Sequence, residues 1–190
     1  CVACAENTFS GVTTGIWMEA DCHICVAGSY TAHATGSTTC LGCPDGQFAA
    51  SPGQGAETCE ACPIGSFTQR EYGATACDEC TAGYSCDGTY EVTVCVAGEF
   101  AQAGASECSP CAAGRYTIFD GSSECDVCVS GTYSTQPYGS LAGQCLACEA
   151  GSFTNSESAS TECTGCELGT YHATTGITSS TQCTVCATGW

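Results

Sequence analysis

The chain has 190 residues, with 22 cysteines, 24 glycines, and 20 acidic side chains against two basic ones, for a formal charge of -18. Leu, Ile, Val and Phe make up roughly 13% of it, too few for a large apolar core, so covalent cross-links must do what a core normally does. With Arg70 and Arg115 as the only cations, nucleic-acid binding is excluded, and no run approaches the ~18 apolar residues of a membrane span.

Read in chain order, the cysteines form ten C-x-x-C pairs, starting at Cys1, Cys22, Cys40, Cys59, Cys77, Cys108, Cys125, Cys145, Cys163 and Cys183, with Cys86 and Cys95 standing apart. Outside the Cys86–Cys95 region one pair follows another every 17 to 21 residues, the short period of a stacked-repeat array. Counting from the second cysteine of a pair, Gly recurs at +3 and an aromatic at +5. The +5 aromatics are Tyr30, Phe48, Phe67, Phe100, Tyr116, Tyr133, Phe153 and Tyr171, with Phe9 in the first unit, where Asn7 replaces the glycine. A second glycine often precedes the next pair by four residues, as at Gly36, Gly55, Gly73, Gly104 and Gly121.

Gly at +3 lets the chain reverse directly after the cysteine, through a positive φ or a close approach of two backbones. The aromatic is the one large apolar group of most repeats and is expected to pack on the disulfide and on the next repeat, as a miniature core. The Ser/Thr-rich middles, such as Thr35–Thr39 and 156–161, show neither helical nor long alternating periodicity. The fold class expected is therefore small disulfide-rich repeats, an elongated rod of short β-ribbons and turns with almost no helix.

Spacing alone does not fix the pairing. One arrangement is a ladder in which the second cysteine of each pair closes on the first of the next: Cys4–Cys22, Cys25–Cys40, Cys43–Cys59, Cys62–Cys77, Cys95–Cys108, Cys111–Cys125, Cys128–Cys145, Cys148–Cys163 and Cys166–Cys183. Cys80 and Cys86 then close an irregular repeat spanning 80–95, and Cys1 and Cys186 are left to bond beyond the two ends, both of which read as cut from a longer array. The units so defined run near 4–22, 25–40, 43–59, 62–77, 80–95, 95–108, 111–125, 128–145, 148–163 and 166–183. The other arrangement joins first cysteine to first and second to second in separate two-bridge modules. Trypsin separates the two, because lysine is absent and both arginines lie inside ladder loops. The ladder expects a chain nicked at both arginines to stay in one piece until reduced, whereas the modules expect one cut to release a fragment.

The segments CPDGQF, CPIGSF, CAAGRY, CVSGTY and CELGTY resemble the ephrin-receptor-like cysteine-rich repeat, similar in style to the cysteine-rich modules of growth-factor (EGF-like) and tumour-necrosis-factor receptors. CDECTAGYSCDGTYEVTVCVAGEF, from Cys77 to Phe100, resembles that family's interrupted unit, with an extra cysteine after the aromatic. The chain departs from the pattern at Asn7 and in having the favoured Pro after the second cysteine only at Pro44 and Pro63. The resemblance implies an extracellular, disulfide-linked module of receptor ectodomains, adhesive proteins and surface coats, with no enzymatic activity and no single ligand.

Other chemistries compete poorly. Two C-x-x-C pairs 15 to 20 residues apart also fit a zinc ribbon, but that use belongs to a reducing compartment and has no need of the Gly and aromatic. Ten copies without a βαβ pattern do not make a thioredoxin-type redox site. His23, with His33 and His172, reads as an exposed turn residue rather than a ligand or base, and no nucleophile motif accompanies it. Asp21, Glu107, Glu124 and Glu162 read as solvated charge rather than a calcium site, since no D-x-D-x-D-G loop occurs. Neither Asn7 nor Asn155 opens an N-x-(S/T) sequon, while the many Ser and Thr residues offer places for O-linked glycans. No cofactor and no metal is expected.

The function expected is an extracellular or cell-surface (secreted) structural segment, a stiff stapled shaft of a filament, flagellar hair or cell coat. Its partners would be neighbouring repeats and copies of itself in a fibre. The alternative is the ligand-binding or adhesion ectodomain of a cell-surface receptor, which would be marked by aromatic, Met and Arg hot spots.

Overall fold

The computed structural model describes residues 3–11, 21–31, 35–52, 59–69, 72–137, 145–155 and 158–187. Cys1, His33, Gly55, Arg70, Ser156, Glu157 and the residues 188–190 lie outside them. The described residues contain no α-helix and ten separate two-stranded sheets. A three-residue 3₁₀ turn, Ser180–Gln182, is closed by a capping box between Ser179 and Gln182.

The ribbons follow from the repeat. In the first, β1 (Thr8–Phe9) pairs antiparallel with β2 (His23–Ile24), Thr8 opposite Ile24 and Phe9 opposite His23. The +4 and +5 residues of one repeat thus pair with the two residues inside the next C-x-x-C, and the same register recurs from Ser29–Tyr30 against Leu41–Gly42 to Thr170–Tyr171 against Thr184–Val185. Strands of two residues bury no face of their own and rely on what flanks them.

A turn precedes each ribbon. The +4 N–H donates to the +1 carbonyl, as from Ser29 to Val26 (3.1 Å), Arg115 to Ala112 (3.0 Å) and Thr170 to Glu167 (2.9 Å). The third turn residue has positive φ, which type II geometry requires. Glycine supplies it at Gly28 (φ 80°) and Gly131 (φ 85°), and Asn7 supplies it at φ 59°, so the departure from glycine preserves the turn. Where the +4 residue is Ser or Thr its hydroxyl caps the same carbonyl, as in Ser66 to Pro63 (2.6 Å) and Thr132 to Val129 (2.7 Å).

Ten disulfides join Cys4–Cys22, Cys25–Cys40, Cys43–Cys59, Cys62–Cys77, Cys80–Cys86, Cys95–Cys108, Cys111–Cys125, Cys128–Cys145, Cys148–Cys163 and Cys166–Cys183. Their Cα atoms stand 5.5 to 6.0 Å apart, in the ordinary range. Cys186 carries an exposed free thiol.

The chain divides into two compact units. One comprises residues 1–81, 85–93 and 104–107, the other 82–84, 94–103 and 108–190. Within the first, the Cys25 N–H donates to the Asn7 carbonyl (2.9 Å) and the Cys43 N–H to the Gly28 carbonyl (2.8 Å). Gly28 N–H donates to the Ala49 carbonyl (2.8 Å), and Gly73 N–H to the Cys43 carbonyl (2.9 Å). Within the second, Cys148 donates to Gly131 (2.9 Å), Gly114 to Ser134 (2.9 Å) and Gly121 to Cys95 (2.7 Å). These bonds tie the turn backbone of one repeat to its neighbour in the chain.

The second glycine is not invariant: among the described residues Ser179, four residues before Cys183, and Ala159, four before Cys163, replace it. Ala159 occupies that position with φ 60°, and its N–H donates to the Cys128 carbonyl (2.8 Å) as glycines do elsewhere. An L-residue there carries about 1–2 kcal/mol of strain, partly offset by the extra freedom of an unfolded glycine, about 0.5–1 kcal/mol. Ala159→Gly is expected to raise stability by about 0.5–1 kcal/mol, or roughly 1–4 °C in thermal midpoint by calorimetry; a lowered midpoint would show that the methyl group packs favourably.

Candidate interaction surface

The interior is made of sulfur and small side chains. Cys25, Cys43, Cys80, Cys95, Cys111, Cys128 and Cys148 are fully buried, and among the described residues the non-cysteine apolar ones buried with them are Ala101, Phe153 and Ile177. Of the +5 aromatics only Phe153 is buried (5% exposed); Phe9, Tyr30, Phe48, Phe67, Phe100, Tyr116 and Tyr133 are half-buried, and Tyr171 is 51% exposed. Their backbones reach the next repeat instead, through bridges of Phe9 to Ser37, Tyr133 to Ser160 and Phe153 to Ile177.

Closest packing lies one residue further on, at +6. Ser10, Thr31, Thr68, Cys86, Ala101, Thr117, Ser134 and Thr154 are all buried there. This residue receives the +3 N–H of the preceding repeat, either on its hydroxyl or on its carbonyl. Asn7 donates to Thr31 Oγ1 (2.8 Å), Gly46 to Thr68 Oγ1 (2.7 Å) and Gly131 to Thr154 Oγ1 (2.7 Å). Gly65 donates to the Cys86 carbonyl (3.0 Å) and Gly83 to that of Ala101 (2.7 Å). The extra cysteine of the irregular repeat thus fills a slot that other repeats give to a small residue.

Catalytic constellations find no support among these residues. His23 is exposed, its ring 6.0 Å from that of Phe9, and His172 Nδ1 accepts the Thr174 N–H (3.2 Å). Glu107, Glu124 and Glu162 are exposed and Asp21 is half-buried; among the described residues no group of three or more His, Cys, Asp or Glu side chains is placed to hold a metal ion. No helix among them is long and apolar enough to cross a membrane. A shallow cleft of about 390 Å³ is lined by Phe100, Pro110, Ala112, Arg115 and Glu124, but Arg115 Nη1 is turned to the Cys125 carbonyl (3.3 Å).

Titration is perturbed at Asp87, an exposed carboxylate that accepts from Thr89 Oγ1 (2.6 Å) and the Thr89 N–H (3.0 Å). These bonds, the hydroxyl's first, hold its pKa below the usual 3.8. A lowered folded value means that the turn's extra stability is present above the unfolded pKa and is lost as pH falls through the folded one. Carbon-detected NMR titration is expected to show Asp87 moving up toward 3.8 in Thr89→Ala; an unchanged midpoint would remove the hydroxyl as the cause.

Large apolar side chains are exposed at several places in the second unit, Val129, Leu146, Leu168 and Val185 among them, and at one of these places two such pairs stand on neighbouring segments. Val94 (40% exposed) and Val96 (54%) stand on one segment, Ile118 (43%) and Phe119 (67%) on another. The segments run together: Gly121 N–H donates to the Cys95 carbonyl (2.7 Å), Ala97 N–H to Asp120 Oδ1 (2.8 Å) and Gly98 N–H to the Thr117 carbonyl (3.0 Å). What sets this stretch apart from the other exposed apolar residues is that hydrogen bonds join its two segments, with Phe119 as the one aromatic of the four.

Residues 98–141 match the family model for the tyrosine-protein kinase ephrin type A/B receptor-like repeat. That stretch holds one complete disulfide loop, Cys111–Cys125, and one end each of Cys95–Cys108 and Cys128–Cys145, and its ribbons are those repeated through the chain. No curated protein matches the chain.

Proposed function

We propose that this chain is an extracellular structural segment, a disulfide-stapled spacer of the kind that forms the shaft of a filament, flagellar hair or cell-surface coat. The observation that carries the reading is where the polar groups go. In most repeats the turn N–H and C=O groups at +3, and the N–H at the second glycine, are spent on adjacent repeats, and among the described residues no group of three or more His, Cys, Asp or Glu side chains is placed to hold a metal ion. Ten disulfides suit an oxidising, extracellular setting, as does the ephrin-receptor-like match. Open-ended repetition suits a polymer, because heterologous contacts that do not close generate fibres.

Receptor or adhesion ectodomain is the second reading, favoured by the family match at 98–141 and by the exposed Val94, Val96, Ile118 and Phe119. Imaging of the native assembly with sedimentation of the purified chain separates the two. Helical or lateral self-association supports the shaft; a monomer that stays monomeric at high concentration and engages a protein ligand supports the ectodomain.

A further inference from the structure

We propose that the Val94–Val96 and Ile118–Phe119 surface is a docking site for a basic, apolar-anchored protein segment, one that presents an aliphatic or aromatic side chain flanked by Lys or Arg. The position is singular in the array. Ile118 and Phe119 stand at +7 and +8 after Cys111, where the other described repeats place Ala50 and Ser51, Gln102 and Ala103, Thr135 and Gln136, or Ala173 and Thr174. At 43% and 67% exposure these two side chains contribute little to folding, so the ribbon and turn do not account for them. Hydrogen bonds joining residues 95–98 to 117–121 hold together the two segments that carry the four apolar groups. Phe119 is the kind of rigid aromatic that anchors interfaces.

Charge selects the occupant. Residues 94–103 and 115–127 contain Glu99, Asp120, Glu124 and Asp126 against Arg115 alone, whose Nη1 is turned to the Cys125 carbonyl, and Asp120 Oδ1 holds the Ala97 N–H between the two segments. A second copy of a chain with formal charge -18 would bring like charges together, and an anionic lipid surface would be repelled in the same way. A cationic rim around an apolar anchor is complementary on both counts.

The test uses the oxidised 190-residue chain with three synthetic peptides of equal length: Trp/Leu anchors flanked by Lys, the same anchors flanked by Glu, and Ser in place of the anchors with Lys kept. Amide NMR is expected to show the Lys-flanked anchor peptide shifting residues 94–98 and 117–121, with affinity at least ~10-fold weaker for the chain carrying Ile118→Ser and Phe119→Ser. Asp120→Asn, which keeps an oxygen for the Ala97 N–H, is expected to weaken binding and reduce its salt dependence. Unchanged thermal midpoints and unchanged shifts elsewhere establish that the variants fold. Equal binding of the anchor-free Lys peptide, equal binding by the Ser variant, or preference for the Glu peptide would overturn the proposal. Concentration-dependent dimerisation abolished by the Ser variant would overturn it in favour of a second copy.

Discussion

Gly131→Ala is expected to destabilise the second unit by about 2–5 kcal/mol, while the same change at Gly151 costs only about 1–2 kcal/mol. The two glycines sit at equivalent turn positions with nearly the same φ, 85° and 84°, so the left-handed strain imposed on an alanine is common to both. Their surroundings differ. A Cβ on Gly151 meets nothing within 4 Å, whereas a Cβ on Gly131 falls onto the carbonyl oxygen of Gly176, two repeats further on. Backbone cannot rotate away as a flexible side chain would, and Gly131 is also bonded on both sides, its N–H to Thr154 Oγ1 (2.7 Å) and its carbonyl to the Cys148 N–H (2.9 Å). The displacement must therefore break a hydrogen bond or separate the repeats, an overpacking cost of about 1–3 kcal/mol beyond the strain. Thermal unfolding of the oxidised variants measures the difference, at roughly 2–4 °C per kcal/mol, and amide exchange locates it at residues 148–154 and 176. Equal midpoints for the two variants would mean that the repeats are free to move apart at no cost, and that the glycine serves its own turn alone.

The same comparison shows what the sequence could and could not reveal. Ribbons and turns were legible, because C-x-x-C punctuates the chain and Gly at +3 has few physical explanations other than a positive φ. Asn7 is the instructive exception: its short amide side chain tolerates the left-handed region, so a change of residue left the turn intact. Burial was harder to read. A search for a core looks for large apolar groups and finds the aromatics, yet a two-residue ribbon has no second layer to cover a ring, and most of the rings stay half-exposed. The buried residue at +6 varies among Ser, Thr, Ala and Cys, which share only small size. Where its carbonyl rather than its hydroxyl accepts the +3 N–H, as at Ala101 and Cys86, side-chain identity carries no trace of the bond. A column of small residues one place after each aromatic was the available signal. The exposed pair at Ile118 and Phe119 was invisible for a different reason, since only a surface can tell a spare apolar residue from a needed one.

Reduction is expected to unfold the described structure outright, and to do so in a definite order. With Ala101, Phe153 and Ile177 as the buried apolar residues outside the cysteines among those described, little remains there to hold the structure once sulfur no longer links it. Each closed loop of about 15 residues contributes about 3 kcal/mol, so ten such links exceed the 5–15 kcal/mol net stability typical of a domain. Repulsion among the carboxylates then acts on an unlinked chain of charge -18. Thiolate attack requires access to a sulfur, and access is uneven. Both cysteines of Cys166–Cys183 are half-exposed, most other bridges pair a buried second cysteine with a half-exposed first one, and Cys80–Cys86 is buried at both ends. Graded dithiothreitol with alkylation and peptide mapping is expected to label Cys186 without reductant, then Cys166 and Cys183 first among the bridged residues, and Cys80 and Cys86 last. Circular dichroism is expected to lose its folded signal as the intermediate bridges open rather than at the first one, because each repeat is also held by hydrogen bonds to its neighbours. Labelling of Cys80 and Cys86 ahead of Cys166 and Cys183, or a folded spectrum that survives full reduction, would show that burial of sulfur is not what holds this chain.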